Sequence, residues 1–383
     1  MNIAIAIDSF KGSLTSMEAG RACMEGIKRV FPESQVKIFP IADGGEGTVD
    51  ALTEGMGGKT ECISVTGPLG QKVDAVYGII QSTSTAVIEM SAASGITLVP
   101  EKDRNPLYTT TYGVGEIIAH AIGKECRNFI VGIGGSATND GGVGMLQALG
   151  FSFTDENGND IPKGAAGLEK LHSIDASNAL AELSECSFSI ACDVKNPLCG
   201  NDGCSAIYGP QKGADPEMIE KMDKWLLSYA KLAKESFPHA DENFPGSGAA
   251  GGMGFAFRTF LGGELKNGIN MILAETGIER YIKTADYVIT GEGRLDSQTV
   301  MGKAPHGVAS IAKKYSKPVI AFSGCVTPDA GVCNHHGIDA FFPILRRVCS
   351  LDEALNRKEA FTNMADTSEQ VFRLIDLFEK ERK

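Results

Sequence analysis

The pattern of apolar and polar positions gives the chain two ends with a βα rhythm and a middle of different character. Residues 2–7, NIAIAI, are apolar without a break from Ile3 to Ile7 and predict a buried β-strand. Asp8-Ser9-Phe10-Lys11-Gly12-Ser13 predicts a turn. Thr15 with Glu18 forms a capping box that opens a helix to about residue 30, ended by Pro32. Residues 36–41 predict a second strand, followed by the glycine-rich turn Ala42-Asp43-Gly44-Gly45-Glu46-Gly47 and a helix to about residue 56. Each of these βα units delivers an aspartate at its strand end, Asp8 and Asp43.

Between residues 59 and 90 the apolar positions alternate in short segments, at 73–79 and 85–89, divided by Gly67-Pro68 and 82–84. This predicts antiparallel strands and hairpins. A helix with Val114, Ile117, Ile118, Ala121 and Ile122 on one face comes next, then a strand at 129–133. The densest turn of the chain follows at 134–142, GGSATNDGG, and leads into a helix carrying Val143, Met145, Leu146 and Leu149. A strand at 188–192 ends in Asp193-Val194-Lys195-Asn196-Pro197, and 246–252 is a further glycine cluster. Near residue 285 the βα rhythm returns. A strand at 287–290 precedes Gly291-Glu292-Gly293-Arg294-Leu295-Asp296, and a strand at 318–322 precedes Ser323-Gly324. The last strand falls at 340–344, and Ser350 with Glu353 caps a long C-terminal helix.

Similar ends around a dissimilar middle predict an α/β fold of two domains. Residues 1–66 plus 285–383 form a discontinuous flavodoxin/Rossmann-like parallel-sheet domain, and 67–284 form an inserted mixed α/β domain. A length of 383 residues suits this division, at roughly 100–200 residues per domain.

Composition narrows the function. Lys and Arg number 36 against 48 Asp and Glu, a net charge of -12 that argues against a nucleic-acid partner. No apolar run is long enough to span a membrane, and the N-terminal run lacks the layout of a signal peptide. Ten scattered cysteines without a CxxC pair suit reduced thiols in the cytoplasm. The 46 glycines, many in polar clusters after apolar runs, suit strand-to-helix turns that touch ligands.

The turns themselves carry the candidate chemistry. In GIGGSATNDGG, 132–142, glycines let backbone N–H groups converge at a helix N-terminus, which favours anions. Ser136 and Thr138 supply donors for phosphate oxygens, and Asp140 a ligand for Mg²⁺. No GxxxxGK[ST] loop occurs, nor a GxGxxG placed for a dinucleotide, so this is neither a Walker A loop nor a Rossmann fingerprint. Asp8 and Lys11 stand at the end of the first strand, where open α/β sheets bind ligands. Asp43 and Glu46 belong to the same layer. Glu292, Arg294 and Asp296 combine a bidentate anion clamp with carboxylates for a metal or a proton. Asp193, at another strand end, is a candidate base beside Lys195. His335-His336 reads as an exposed pair, and His306 lies near the expected site.

Taken together, DSFKGSLTS at 8–16, ADGGEGTVDAL at 42–52, EMSAASG at 89–95, GIGGSATNDGG at 132–142, ACDVKNP at 191–197, TGEGRLDSQT at 290–299 and GKAPHGVA at 302–309 resemble the glycerate kinase family of bacterial type. The resemblance implies two α/β domains with the active site in the cleft between them. It also implies transfer of the γ-phosphoryl group of ATP to D-glycerate. The product would be 2-phosphoglycerate, in sugar-acid and glyoxylate catabolism, with related members forming 3-phosphoglycerate. Other small-molecule kinases or acyl-phosphate enzymes share such turns, and a sugar-acid sensor is the non-enzyme alternative.

On this reading Gly134, Gly135, Ser136, Thr138, Asn139 and Gly141 cradle ATP. Asp43, Asp140 and Glu292 are the candidate Mg²⁺ ligands. Asp8, Ser9 and Lys195 contact glycerate, and Lys11 and Arg294 bind its carboxylate or the transferring group. Asp193 takes the hydroxyl proton, with Asp296 as its rival. The partners are then glycerate and ATP, with neither nucleic acid nor membrane, and with room for a homo-oligomer.

Overall fold

The computed structural model describes residues 1–42, 44–45 and 47–381. Its strands are β1 (Asn2–Ile7), β2 (Gln35–Ile38), β3 (Lys59–Thr66), β4 (Lys72–Ile80), β5 (Thr85–Glu89), β6 (Asn128–Gly132) and β7 (Ser152–Thr154). They continue with β8 (Ser173–Asp175), β9 (Ser187–Ala191), β10 (Glu264–Lys266), β11 (Tyr287–Leu295), β12 (Val319–Val326) and β13 (Ala340–Pro343). The chain divides into two compact units, one of residues 1–43, 50–57 and 269–383, the other of 44–49 and 58–268.

The first unit holds a sheet in the order β13-β12-β11-β1-β2, parallel throughout. Renumbered within the unit, this is the flavodoxin-like order 2-1-3-4-5. The sequence NIAIAI explains the central place of β1. Ile3, Ile5 and Ile7 face one side of the sheet, against Ala19, Ala22, Cys23 and Ile27 of the helix Ser16–Val30 and Met364 and Phe372 of the helix Arg357–Glu381. Ala4 and Ala6 face the other side, with Val308, Ala309 and Ala312 of the helix Ala304–Lys314. A strand covered on both faces has no polar side to show, hence the unbroken apolar run. Each fully buried isoleucine contributes about 1.5–3 kcal/mol.

The two ends of the chain meet at β1 and β11, in register from Ile3 opposite Tyr287 to Ile7 opposite Gly291. Thr15 caps the first helix with the expected reciprocal box. Ser350 and Glu353 form the same box on a short helix, Leu351–Ala354, which precedes the long one.

The second unit holds a mixed sheet, β10-β9-β6-β5-β4-β3. Strands β5, β6, β9 and β10 run parallel, and β3, β4 and β5 form an antiparallel meander. The helix Tyr112–Gly123 buries the expected face of Val114, Ile117, Ile118, Ala121 and Ile122.

Three boundaries differ from expectation. The first unit gives way at residue 57 rather than 66, because β3 pairs along its whole length with β4. It resumes at 269 rather than 285, because Ile269, Leu273, Ile278 and Ile282 join the core beneath β11. Strand β11 also continues past residue 290 through the GEGRL segment, pairing Glu292 with Ser323 and Arg294 with Cys325.

Candidate active site

In the first unit, β1 and β11 flank the point where strand order reverses, and ligands of open α/β sheets bind outside the carboxyl ends at such a point. Asp8 follows β1, and its N–H donates to Gly291 O at 2.8 Å. Its carboxylate accepts the Ser9 N–H at 2.7 Å, fixing the first step of the turn. A Cβ on Gly293 would lie 3.7 Å from Lys11 N, so the DSFKGS turn runs beside the GEGRL strand. Lys11 is exposed.

Beside this turn sits a group of charges that β11 and its successor loop bring together. Glu292 and Asp296 are both buried, 8% and 7% exposed. Thr299 Oγ1 donates to Glu292 at 2.6 Å, and Gln298 N–H donates to Asp296 at 2.9 Å. Lys303, the residue that starts the helix Ala304–Lys314, places Nζ 3.7 Å from Glu292 and 3.8 Å from Asp296. Arg294 reaches Asp296 at 3.2 Å while its side chain stays 64% exposed. Burial pushes the Glu292 carboxyl above the ordinary glutamate range, against the opposing pull of Thr299 and Lys303. His306 packs against His336, ring centroids 6.3 Å apart, and burial lowers its pKa.

In the second unit the register lines up Glu89, Gly132, Ala191 and Lys266 across the four parallel strands. Their carboxyl ends therefore share one edge. Glycine is required here: a Cβ on Gly132 would lie 2.3 Å from Gly44 O. Gly44 thus packs onto the end of β6. Glu89 accepts the Val49 N–H at 2.9 Å. Asp193 Oδ1 accepts the Asn267 side-chain amide at 2.5 Å and the Gly268 N–H at 2.9 Å, so an exposed carboxylate is held at the strand edge. Lys195, two residues on, is exposed.

The turn after β6 departs most from expectation. Asp140 is fully buried, and its two oxygens accept Thr111 N–H and Oγ1, Gly142 N–H and Gly144 N–H. The N-terminal donors of the helix Val143–Ala148 are thus occupied by the chain's own carboxylate. Those donors are not open to a phosphate, and the Asp140 oxygens are already engaged rather than turned toward a metal. Burial raises its pKa. Thr138 and Asn139 are fully buried too, with Thr138 Oγ1 and Asn139 Oδ1 unpartnered and the Asn139 amide donating to Ser205 at 2.8 Å. Gly141 lies under Tyr229 and Leu226. Of the expected cradle, Gly134 and Gly135 are exposed and Ser136 borders them at 7% exposure.

Behind Ser136 stands a residue that sequence reasoning passed over. Lys212 is 2% exposed, and Nζ donates to Ser136 Oγ at 2.8 Å and Thr138 O at 2.6 Å. Burial lowers its pKa to about 8. Lys303 and Asn267 were passed over as well. Asp43 and Glu46 lie outside the described residues. Among those described, no three His, Cys, Asp or Glu side chains gather as a metal cluster, and no helix is long and apolar enough to cross a membrane.

The family model for glycerate kinases matches residues 3–376. The chain belongs to the glycerate kinase family. It is 48% identical to the glycerate 2-kinase of Escherichia coli strain K12 over 97% of each chain. To a glycerate kinase of Haemophilus influenzae it is 47% identical, over 98% of this chain and 99% of that one. A crystal structure from Salmonella typhimurium LT2, provisionally named glycerate kinase 2, matches with a TM-score of 0.91 at 46% identity, covering 99% of both chains. The two strand edges are thus the carboxyl edges of a glycerate kinase family fold.

Proposed function

We propose that the chain transfers the γ-phosphoryl group of ATP to D-glycerate and yields 2-phosphoglycerate, in the cytoplasm and in the service of sugar-acid or glyoxylate catabolism. The observation that carries this reading is the family match over residues 3–376, joined by 48% identity to a glycerate 2-kinase.

Phosphoryl transfer asks little covalent chemistry of a protein. It asks for alignment of the acceptor hydroxyl and for neutralisation of charge on the transferring group. The exposed Gly134-Gly135 pair, with the buried Ser136 hydroxyl beside it, is the part of the turn suited to phosphate oxygens. Asp193 is suited to take the glycerate hydroxyl proton: it is exposed, and two donors on Oδ1 orient it. Asp8, Ser9 and Lys195 are assigned to glycerate, and Lys11 and Arg294 to its carboxylate or to the transferring group.

Mg²⁺ is a hard cation that keeps several waters and takes one or two carboxylates besides phosphate. Glu292 and Asp296, two buried carboxylates sharing one lysine, fit that modest demand; Asp140, with both oxygens engaged in its turn, does not. Glu292 and Asp296 would hold the ion, and the ion would supply charge neutralisation on the phosphate oxygens. Lys303 Nζ lies within 3.8 Å of both carboxylates.

An ADP-release assay over a panel of hydroxy acids tests the reading. Release is expected with D-glycerate, to be abolished by chelation of Mg²⁺. Release independent of glycerate, or greatest with another acid, would refute it.

A further inference from the structure

Lys212 Nζ donates to a hydroxyl and a carbonyl, and no ion pair with a carboxylate is formed by it among the described residues. It is presented by the short 3-10 turn Pro210–Lys212, and Gly213 ends that turn at φ +93° with its α-carbon against Arg104. The side chain passes inward to the GGSATND turn. A buried ammonium without a counter-ion is costly, and a lysine kept only to fill space would be better replaced by an apolar residue. Its place behind Ser136 has a definite consequence. An ammonium only donates, so Ser136 Oγ must accept from Lys212. The Ser136 hydroxyl proton is then directed away from Lys212, and no acceptor among the described residues receives it. Ser136 borders the two exposed glycines, so its hydroxyl lies next to the part of the turn open to a ligand.

We propose that Lys212 is a positioning residue for the nucleotide: it holds Ser136 with its hydroxyl proton aimed at a phosphate oxygen of ATP, and its charge lies one hydrogen bond behind that contact. The proposal rests on the reading of 134–136 as the phosphate-binding segment. The bound triphosphate adds to the negative charge that only the Asp140 carboxylate, not in ion-pair contact, brings to Lys212. The groups acting on Lys212 are Cys204, from the helix Cys204–Tyr208, and Asp140, from the turn itself. Arg104 is the further cation on the segment packed against Gly213, and its Nε is buried without a partner. The Cys204 thiol is pushed up to about 11 by burial, so it stays neutral while Lys212 titrates. Once Lys212 loses its proton, its Nζ can accept, and the Ser136 hydroxyl can turn inward to it.

Steady-state kinetics of the full chain with Mg·ATP and D-glycerate test this, using wild type, Lys212→Met and Ser136→Ala at pH 7 and pH 9. Both variants should raise KM for ATP about tenfold, the loss of one charge-assisted contact, with KM for glycerate and kcat changed less than about threefold. Wild type should lose ATP affinity between pH 7 and pH 9, and Ser136→Ala should lack that loss. Folded variants with normal KM for ATP and only a lower melting temperature would make Lys212 structural and overturn the proposal, leaving the phosphate-binding segment untouched. A rise in KM for glycerate alone would overturn the nucleotide reading of the segment, and the proposal with it. Should Lys212→Met fail to fold, Ser136→Ala decides, since it keeps the lysine.

Discussion

Thr111 donates to Asp140 twice, from its backbone N–H and from Oγ1, each at 2.9 Å to the same carboxylate oxygen. The Thr111 hydroxyl in turn accepts the Met145 N–H at 2.9 Å. One buried carboxylate thus ties the start of the helix Tyr112–Gly123 to the turn after β6 and the helix Val143–Ala148. Asp140→Ala would strand these donors, and a loss of about 3–5 kcal/mol is expected in denaturant unfolding. Asp140→Asn should keep part of the network and fold. Its Mg²⁺ activation curve should overlay that of wild type. A large shift in Mg²⁺ requirement would return Asp140 to the metal.

Glu292 should show the opposite balance, useful and destabilising. Burial raises its pKa, so in the window between the ordinary glutamate value and its raised native value the folded state binds the extra proton. Stability therefore falls as pH rises through that window. Glu292→Gln should melt at or above the wild-type temperature at pH 8 while losing about 10²–10³ in kcat, the loss expected when a charge-handling group is removed. A variant that melts lower and works normally would assign Glu292 to structure.

Lys212 offers a linkage experiment independent of catalysis. An unfolded lysine keeps its proton to about 10.5, whereas native Lys212 releases it near 8. Between those values the unfolded state binds more protons, so stability rises with pH. The full window corresponds to about 3 kcal/mol. Chemical denaturation of wild type at pH 7.5 and 10 should show this rise relative to Lys212→Met. Parallel pH curves for the two proteins would mean that Lys212 titrates normally.

Asp193 and Asp296 competed as the proton acceptor on sequence grounds, and their surroundings now differ. Asp193 is exposed at a strand edge, whereas Asp296 is buried between Arg294 and Lys303. Asp193→Asn is expected to lower kcat by about 10²–10⁴, the range for a general base, with KM for both substrates little changed. Near-normal turnover would remove Asp193 from the proton transfer.

Much of the architecture was legible because it rests on local pattern. The apolar run in NIAIAI, the Thr15–Glu18 box and the one-sided helix at Val114–Ile122 each follow from a few neighbouring residues. Strand β11 was cut short because glycines at 291 and 293 mimic a turn, while pairing with β12 carries the strand on to Leu295. The site was legible as a set of strand-end turns but not in its inner layer. Asp140 looked like a ligand because nothing local announces that Thr111, 29 positions away, will occupy it. Lys212 sits 76 positions from Ser136 in a Gly-Pro-Gln-Lys-Gly segment that reads as surface. Burial of a charged side chain is decided by long-range packing, so such residues surface only when the tertiary fold is known.

The central claim is phosphoryl transfer from ATP to the 2-hydroxyl of D-glycerate. Phosphorus NMR of the product mixture from ATP, Mg²⁺ and D-glycerate tests it most directly, because the two phosphoglycerates couple to different numbers of carbon-bound protons. The account predicts a doublet from 2-phosphoglycerate growing with ADP. A triplet from 3-phosphoglycerate, or ADP and inorganic phosphate without a new ester, would contradict it.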